Sequence, residues 1–192
     1  RIDLGFRPAE SLERMTHESL TVVLVDKDGI LPDLPPSSDS DFLPKEPTRK
    51  SFDECCNEFW WVSPYVAKAL WREELVNAKS LIEKETRAQL MKMVNWYFGI
   101  KTGFKRSPGK ESKQVKSVIE PHLWMKLEAT YAGPDFEATW DSIFTMGDLF
   151  RMTAKHVAES YGFEYPEGDD RRVTAHLRHV RQLPKDAKEI YP

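Results

Sequence analysis

The sequence predicts an α+β chain, a mostly α-helical bundle preceded by the last strands of an α/β domain. Three observations carry this. Residues 1–6 (RIDLGF) and 20–25 (LTVVLV) are short apolar runs, the second rich in β-branched side chains. Residues 30–47 then hold Pro32, Pro35, Pro36, Pro44 and Pro47 among Ser and Asp, which no regular element tolerates. From Thr48 onward apolar residues recur at helical spacing. Two strands and one helix do not close a core of their own. The expected organisation is therefore a remnant of an α/β domain at 1–30, a proline-rich linker at 31–47 and a helical domain at 48–192. Arg1 stands where an initiator methionine is expected, and the front reads as the tail of a domain that begins upstream.

Each element has a local reason. Residues 1–6 form the first expected strand. Pro8 opens a short helix to about His17, proline being tolerated in a first turn. Residues 20–25 form the second strand, and Asp26-Lys27-Asp28-Gly29 has turn chemistry. Thr48 is a suitable N-cap for a helix with Phe52, Cys55, Cys56, Phe59, Val62, Val66 and Leu70 on one stripe. Pro64 lies inside it and predicts a kink near Trp60. Leu75 to Ile82 continues or restarts helix. Leu90, Met91, Val94, Tyr97 and Phe98 mark another, ending near Gly103. Residues 104–114 are rich in Lys, Ser, Gly and Pro and read as a loop. Short helices follow around Ile119–Tyr131, a long one from Asp135 to Gly162, and a last one from Asp169 to Leu183, stopped by Pro184.

Composition narrows the class. Among 192 residues, 40% are hydrophobic and six are tryptophan, enough for a buried core. A formal charge of -3 gives no basic stripe for nucleic acid; it suits a small cationic partner, but such weak acidity is also the ordinary state of cytosolic proteins. No apolar run approaches the roughly 20 residues of a membrane span, and no signal peptide is evident. The only cysteines, Cys55 and Cys56, are adjacent, a poor geometry for a disulfide or a zinc site. They read as reduced core residues of a cytoplasmic protein.

On pattern alone Asp3 shares a strand face with Arg1 and Gly5, as a solvated carboxylate or as a metal ligand or base. The blocks RIDL, LTVVLVDKDGILPDLPPSSDSDFLPKEPT, CCNEFWWVSPYVAKALWREEL, IFTMGDLFR and DDRRVTAHLRHVRQLPKDAKEIY, in that order, resemble the aminoglycoside 6-adenylyltransferases, the streptomycin-modifying nucleotidyltransferases. The resemblance implies a nucleotidyltransferase α/β domain followed by a helical domain. It implies transfer of AMP from Mg-ATP to a drug hydroxyl, with antibiotic resistance as the outcome. Asp3, in Arg1-Ile2-Asp3-Leu4, matches the third active-site carboxylate, as metal ligand or base.

The family's Gly-Ser motif and the Asp-x-Asp pair behind it have no counterpart here. Asp26/Asp28 and Asp39/Asp41 follow the RIDL segment and read as turn and linker acids. This chain is expected to be inactive without that missing N-terminal domain.

Other candidates divide between a chemical and a plain role. Lys68 and Arg72 share a helix face, as triphosphate ligands or as solvated charges. Glu58 reads as a contact for streptomycin guanidinium groups or as a surface acid. Trp60 and Trp61 cannot both face one core, and Trp61 is the one assigned to the drug, with plain core or interdomain packing as the alternative. Asp148 sits in an apolar block, as a drug contact or half of an ion pair. His176 and His179 read as a basic face rather than a metal site. The competing reading of the whole is a non-catalytic helical module that binds a cationic ligand or a protein partner.

Overall fold

A computed structural model describes residues 2–8, 10–11 and 18–191. The chain divides into two compact units, Arg1–Leu43 and Pro44–Pro192.

The first unit corrects the expected fold class. Among the described residues it contains no strand, only turns and 3₁₀ turns, one of them at Ser40–Phe42. The physical reason is that strand propensity is a preference for a paired, half-buried surface. Ile2, Leu4, Phe6, Val22, Leu24 and Val25 are all exposed, with no sheet to pack on. The expected helix from Pro8 to about His17 falls largely on residues 12–17, outside those described.

Local polar bonds organise the unit instead. The Asp26 carboxylate accepts from the backbone amides of Gly29, Ile30 and Leu31 at 2.9, 3.3 and 3.0 Å. Gly29 takes φ +63°, the conformation that closes this turn. The bond from the Leu31 amide is the main reason that the Asp26 carboxyl titrates below its usual range. Asp41 accepts from the Ser19 amide at 2.7 Å, while its own amide donates to the Ser19 hydroxyl at 3.1 Å. Both carboxylates are thus engaged by the chain's own backbone, as turn and linker acids should be.

The second unit is a bundle of six helices: α1 Arg49–Trp71, α2 Leu75–Leu81, α3 Arg87–Thr102, α4 Pro121–Ala129, α5 Phe136–Tyr161 and α6 Glu167–Gln182. Thr48 caps α1 in a reciprocal box, its hydroxyl accepting from the Ser51 amide and its amide donating to the Ser51 hydroxyl. α1 runs as one helix through Pro64. α2 joins α3 through a π turn at Ile82–Thr86. Gly103 and Gly162, at φ +59° and +67°, end α3 and α5 in the left-handed cap that only glycine enters freely.

The predicted stripe of α1 is the core. Phe52, Cys55, Cys56, Phe59, Val62, Val66 and Leu70 are all buried. Phe59 stacks on Phe150 of α5, centroids 3.9 Å apart, and Trp60 meets the same ring edge-on. α1 packs on α6, α2, α3 and α5, while α3 and α4 lie against α5. The Cys55 thiol donates to the Gln89 carbonyl at 3.4 Å. Burial pushes that thiol up to about 12 and raises Cys56 in the same way.

Candidate functional site

The side of α1 opposite the core carries most of the candidate residues. At about 100° per residue, Glu58, Trp61, Tyr65, Lys68 and Arg72 fall within about 80° of arc. Trp61, Tyr65, Lys68 and Arg72 are exposed and Glu58 is half-buried. Trp61 lies against Tyr65, ring centroids 6.2 Å apart, and the Lys68 ammonium sits 5.3 Å from the Tyr65 centroid. Among the described residues, Glu58 and Arg72 form no ion pair. The stripe runs from acid through aromatics to cations over about 15 Å between Glu58 and Lys68. Trp60, its neighbour in sequence, turns inward and is 2% exposed, against 62% for Trp61.

The cationic end of the stripe borders a cavity of about 370 Å³. Pro64, Tyr65, Lys68 and Trp71 of α1, with its C-cap Arg72, form one wall; His176 and Val180 of α6, with Leu183, form the second. The third wall is the segment beyond α6, through Ala187, Lys188, Glu189 and Ile190. That segment is tied down at both ends. Lys185 donates to the Trp71 carbonyl at 2.8 Å and pairs with Glu73 at 3.1 Å, and the Trp71 indole donates to the Leu183 carbonyl at 3.2 Å. At the far end the Tyr191 hydroxyl meets His176 Nδ1 at 2.6 Å. His179 Nε2 donates to the Ile190 carbonyl at 2.5 Å, and the Tyr191 ring stacks on His179 at 4.8 Å. The two histidines are thus engaged by the protein itself. Burial, and then the neighbouring His179, hold the His176 imidazole below its usual range.

Asp148 lies elsewhere, on α5. It borders a second, more polar cavity of about 490 Å³ with Trp60, Glu137, Arg151, Arg178 and Arg181. Its carboxylate accepts from Arg151 at 2.8 Å and lies 3.9 Å from Lys126. The structure therefore brings Glu58, Trp61, Lys68 and Arg72 onto one face and leaves Asp148 apart from them. Asp3 is exposed and belongs to the first unit.

Sequence reasoning missed Tyr65 and Lys188. Tyr65 had a signal, its i+4 spacing from Trp61; Lys188 had none, because only the return of the chain past Pro184 brings it to α1.

Comparison with known proteins bears on this geometry. Residues 1–180 match the family model described as streptomycin adenylyltransferase. An aminoglycoside 6-adenylyltransferase of Campylobacter jejuni is 36% identical over 172 residues, covering 89% of this chain and 60% of that protein. One of Bacillus subtilis (strain 168) is 34% identical over 172 residues, covering 88% and 61%. The crystal structure of an aminoglycoside 6-adenyltransferase from Bacillus subtilis matches with a TM-score of 0.66 at 33% identity, over 82% of this chain and 59% of that one. The chain spans about 60% of the length of the curated relatives it matches.

Proposed function

The chain belongs to the streptomycin adenylyltransferase family, and from that premise we propose that it forms part of an enzyme that adenylylates streptomycin and so inactivates it. A drug hydroxyl oxygen bonds to the α-phosphorus of ATP, the bond from that phosphorus to pyrophosphate breaks, and the hydroxyl proton passes to a carboxylate. The reaction belongs in the cytoplasm, where ATP is supplied.

The observation that carries this reading is the polarity of the exposed face of α1. Lys68 and Arg72 supply charge-assisted donors to the triphosphate. Glu58 supplies an acceptor for the drug's guanidinium groups, and Trp61 an aromatic face beside it. The two substrates carry opposite charge, and the two ends of the stripe match them in order. Asp148, already shared by Arg151 and Lys126, would meet the drug only by exchanging one of those partners, and it ranks behind Glu58.

Asp3 is the carboxylate assigned to the proton, and the one side chain of this chain assigned to Mg²⁺. Among the described residues no three His, Cys, Asp or Glu side chains gather as a metal site. The assignment of Asp3 as a single ligand rests on its match to the family's third active-site carboxylate, and it needs further carboxylates from outside this chain. The ion, when bound, offsets the negative charge of the phosphates.

Steady-state kinetics of the whole enzyme, of which this chain forms part, tests the assignment. Lys68→Ala should raise KM for Mg-ATP about tenfold with little change for streptomycin, and Glu58→Gln should do the reverse. Unchanged constants in both variants would remove the α1 face from the active site.

A further inference from the structure

We propose that residues 184–191 form a strap that closes on the polyphosphate of the nucleotide, with Lys188 as a third phosphate-binding cation beside Lys68 and Arg72. The proposal rests on the reading that Lys68 and Arg72 face the triphosphate.

Three features of the cavity lead there. First, it exists only because the strap is in place; α1 and α6 alone would leave an open groove. Second, its lining has an excess of cations. Lys68, Arg72 and Lys188 face one acid, Glu189, and Arg72 and Lys188 form no ion pair among the described residues. Lys185 shows the contrast, since it is committed to Glu73 and the Trp71 carbonyl and serves as the near anchor. Unpaired cations around a largely apolar pocket repel one another until an anion enters. A polyphosphate presents a negative charge to each of them, whereas the cationic drug would be repelled. Third, the fastenings at the far end lie in water. Tyr191 on His176 and Ile190 on His179 are exposed contacts, for which water competes. A segment held so lightly opens locally. A ligand that binds only the closed form shifts it shut by mass action.

The test combines binding and hydrogen exchange on the protein, with tripolyphosphate and Mg-ATP as probes. Tripolyphosphate should slow amide exchange in residues 186–191, and adenosine should not. Lys188→Ala should weaken tripolyphosphate binding about tenfold, while Lys188→Arg retains most of it. Tyr191→Ala should speed exchange of the strap without ligand and weaken tripolyphosphate. If Lys68→Ala weakens both probes while Lys188→Ala binds them normally, the strap proposal fails and the α1 reading stands. If neither variant changes binding, both fail. Exchange in the strap that ignores tripolyphosphate also overturns the closure.

Discussion

Arg151 of α5 and Asp170 of α6 form a two-bond ion pair, Nε to Oδ2 at 2.5 Å and Nη2 to Oδ1 at 2.6 Å, with Asp170 only 3% exposed. Tyr165 and Thr174 add bonds to the same carboxylate at 2.8 and 3.0 Å. The pair joins the two helices at the polar cavity beside Asp148, and through α6 it positions the wall that carries His176 and Val180.

Asp170→Asn should destabilise the fold by about 3 kcal/mol, because Arg151 loses its buried two-bond partner; the low end applies since Arg151 is 28% exposed and keeps Asp148. Urea denaturation with an unchanged midpoint would show that the pair contributes little.

The same carboxylate makes stability depend on pH. Burial acts to raise Asp170, but the bonds from Arg151, Tyr165 and Thr174 outweigh it and hold the group below its ordinary value. Glu120, bonded first to Lys101 and then to Tyr97, is held at about 2. Both are more acidic folded than unfolded, so the unfolded chain takes up protons first on acidification. Their stabilisation is complete above about pH 4.5 and is lost as the pH falls toward 2. His176 has the same sign at higher pH: its depressed value means stability begins to fall below about pH 6.5. Urea midpoints from pH 7.5 to 3 should decline in two stages, and His176→Gln should flatten the upper one.

Arg87, at the end of the π turn, should not tolerate lysine. It is 7% exposed, pairs with Glu83 at 2.5 Å, donates to the Thr130 hydroxyl and carbonyl at 2.7 and 3.0 Å, and stacks 3.8 Å from the Tyr131 ring centroid. One ammonium cannot replace a planar fork with partners on both sides. Arg87→Lys should destabilise by about 2 kcal/mol, read as a lower urea midpoint.

The adjacent tryptophans should separate stability from binding. Trp60→Ala opens a cavity against Phe59, Phe150 and Gly147 and should destabilise by about 3–5 kcal/mol. Trp61→Ala should change stability by less than about 0.5 kcal/mol and weaken streptomycin binding, measured by calorimetry. Equal effects on stability would contradict their opposite orientations.

The helices were legible because each advertises its own face. The α1 stripe, the caps at Thr48, Gly103 and Gly162, and the stop at Pro184 depend on neighbours within a few residues. The run at residues 20–25 misled because β-branched composition records suitability for a sheet, and no sheet is present among the described residues. The shared face of Glu58, Trp61, Lys68 and Arg72 was legible because it follows helix periodicity. Contacts were hidden where partners lie far apart in sequence. Arg87 meets Thr130, and Arg151 meets Asp170, only after α3, α4, α5 and α6 have packed. The π turn was equally silent, since it is a change of hydrogen-bond register within an otherwise helical sequence.

Cys55 and Cys56 are sealed in the bundle with their thiols held protonated, so maleimide reagents should leave them untouched in the native state. A new cysteine at an exposed position such as Asp186 would then be the single point of attachment for a fluorophore. The native chain needs no prior removal of sulfur, and movement of the strap becomes visible by spectroscopy in otherwise unaltered protein.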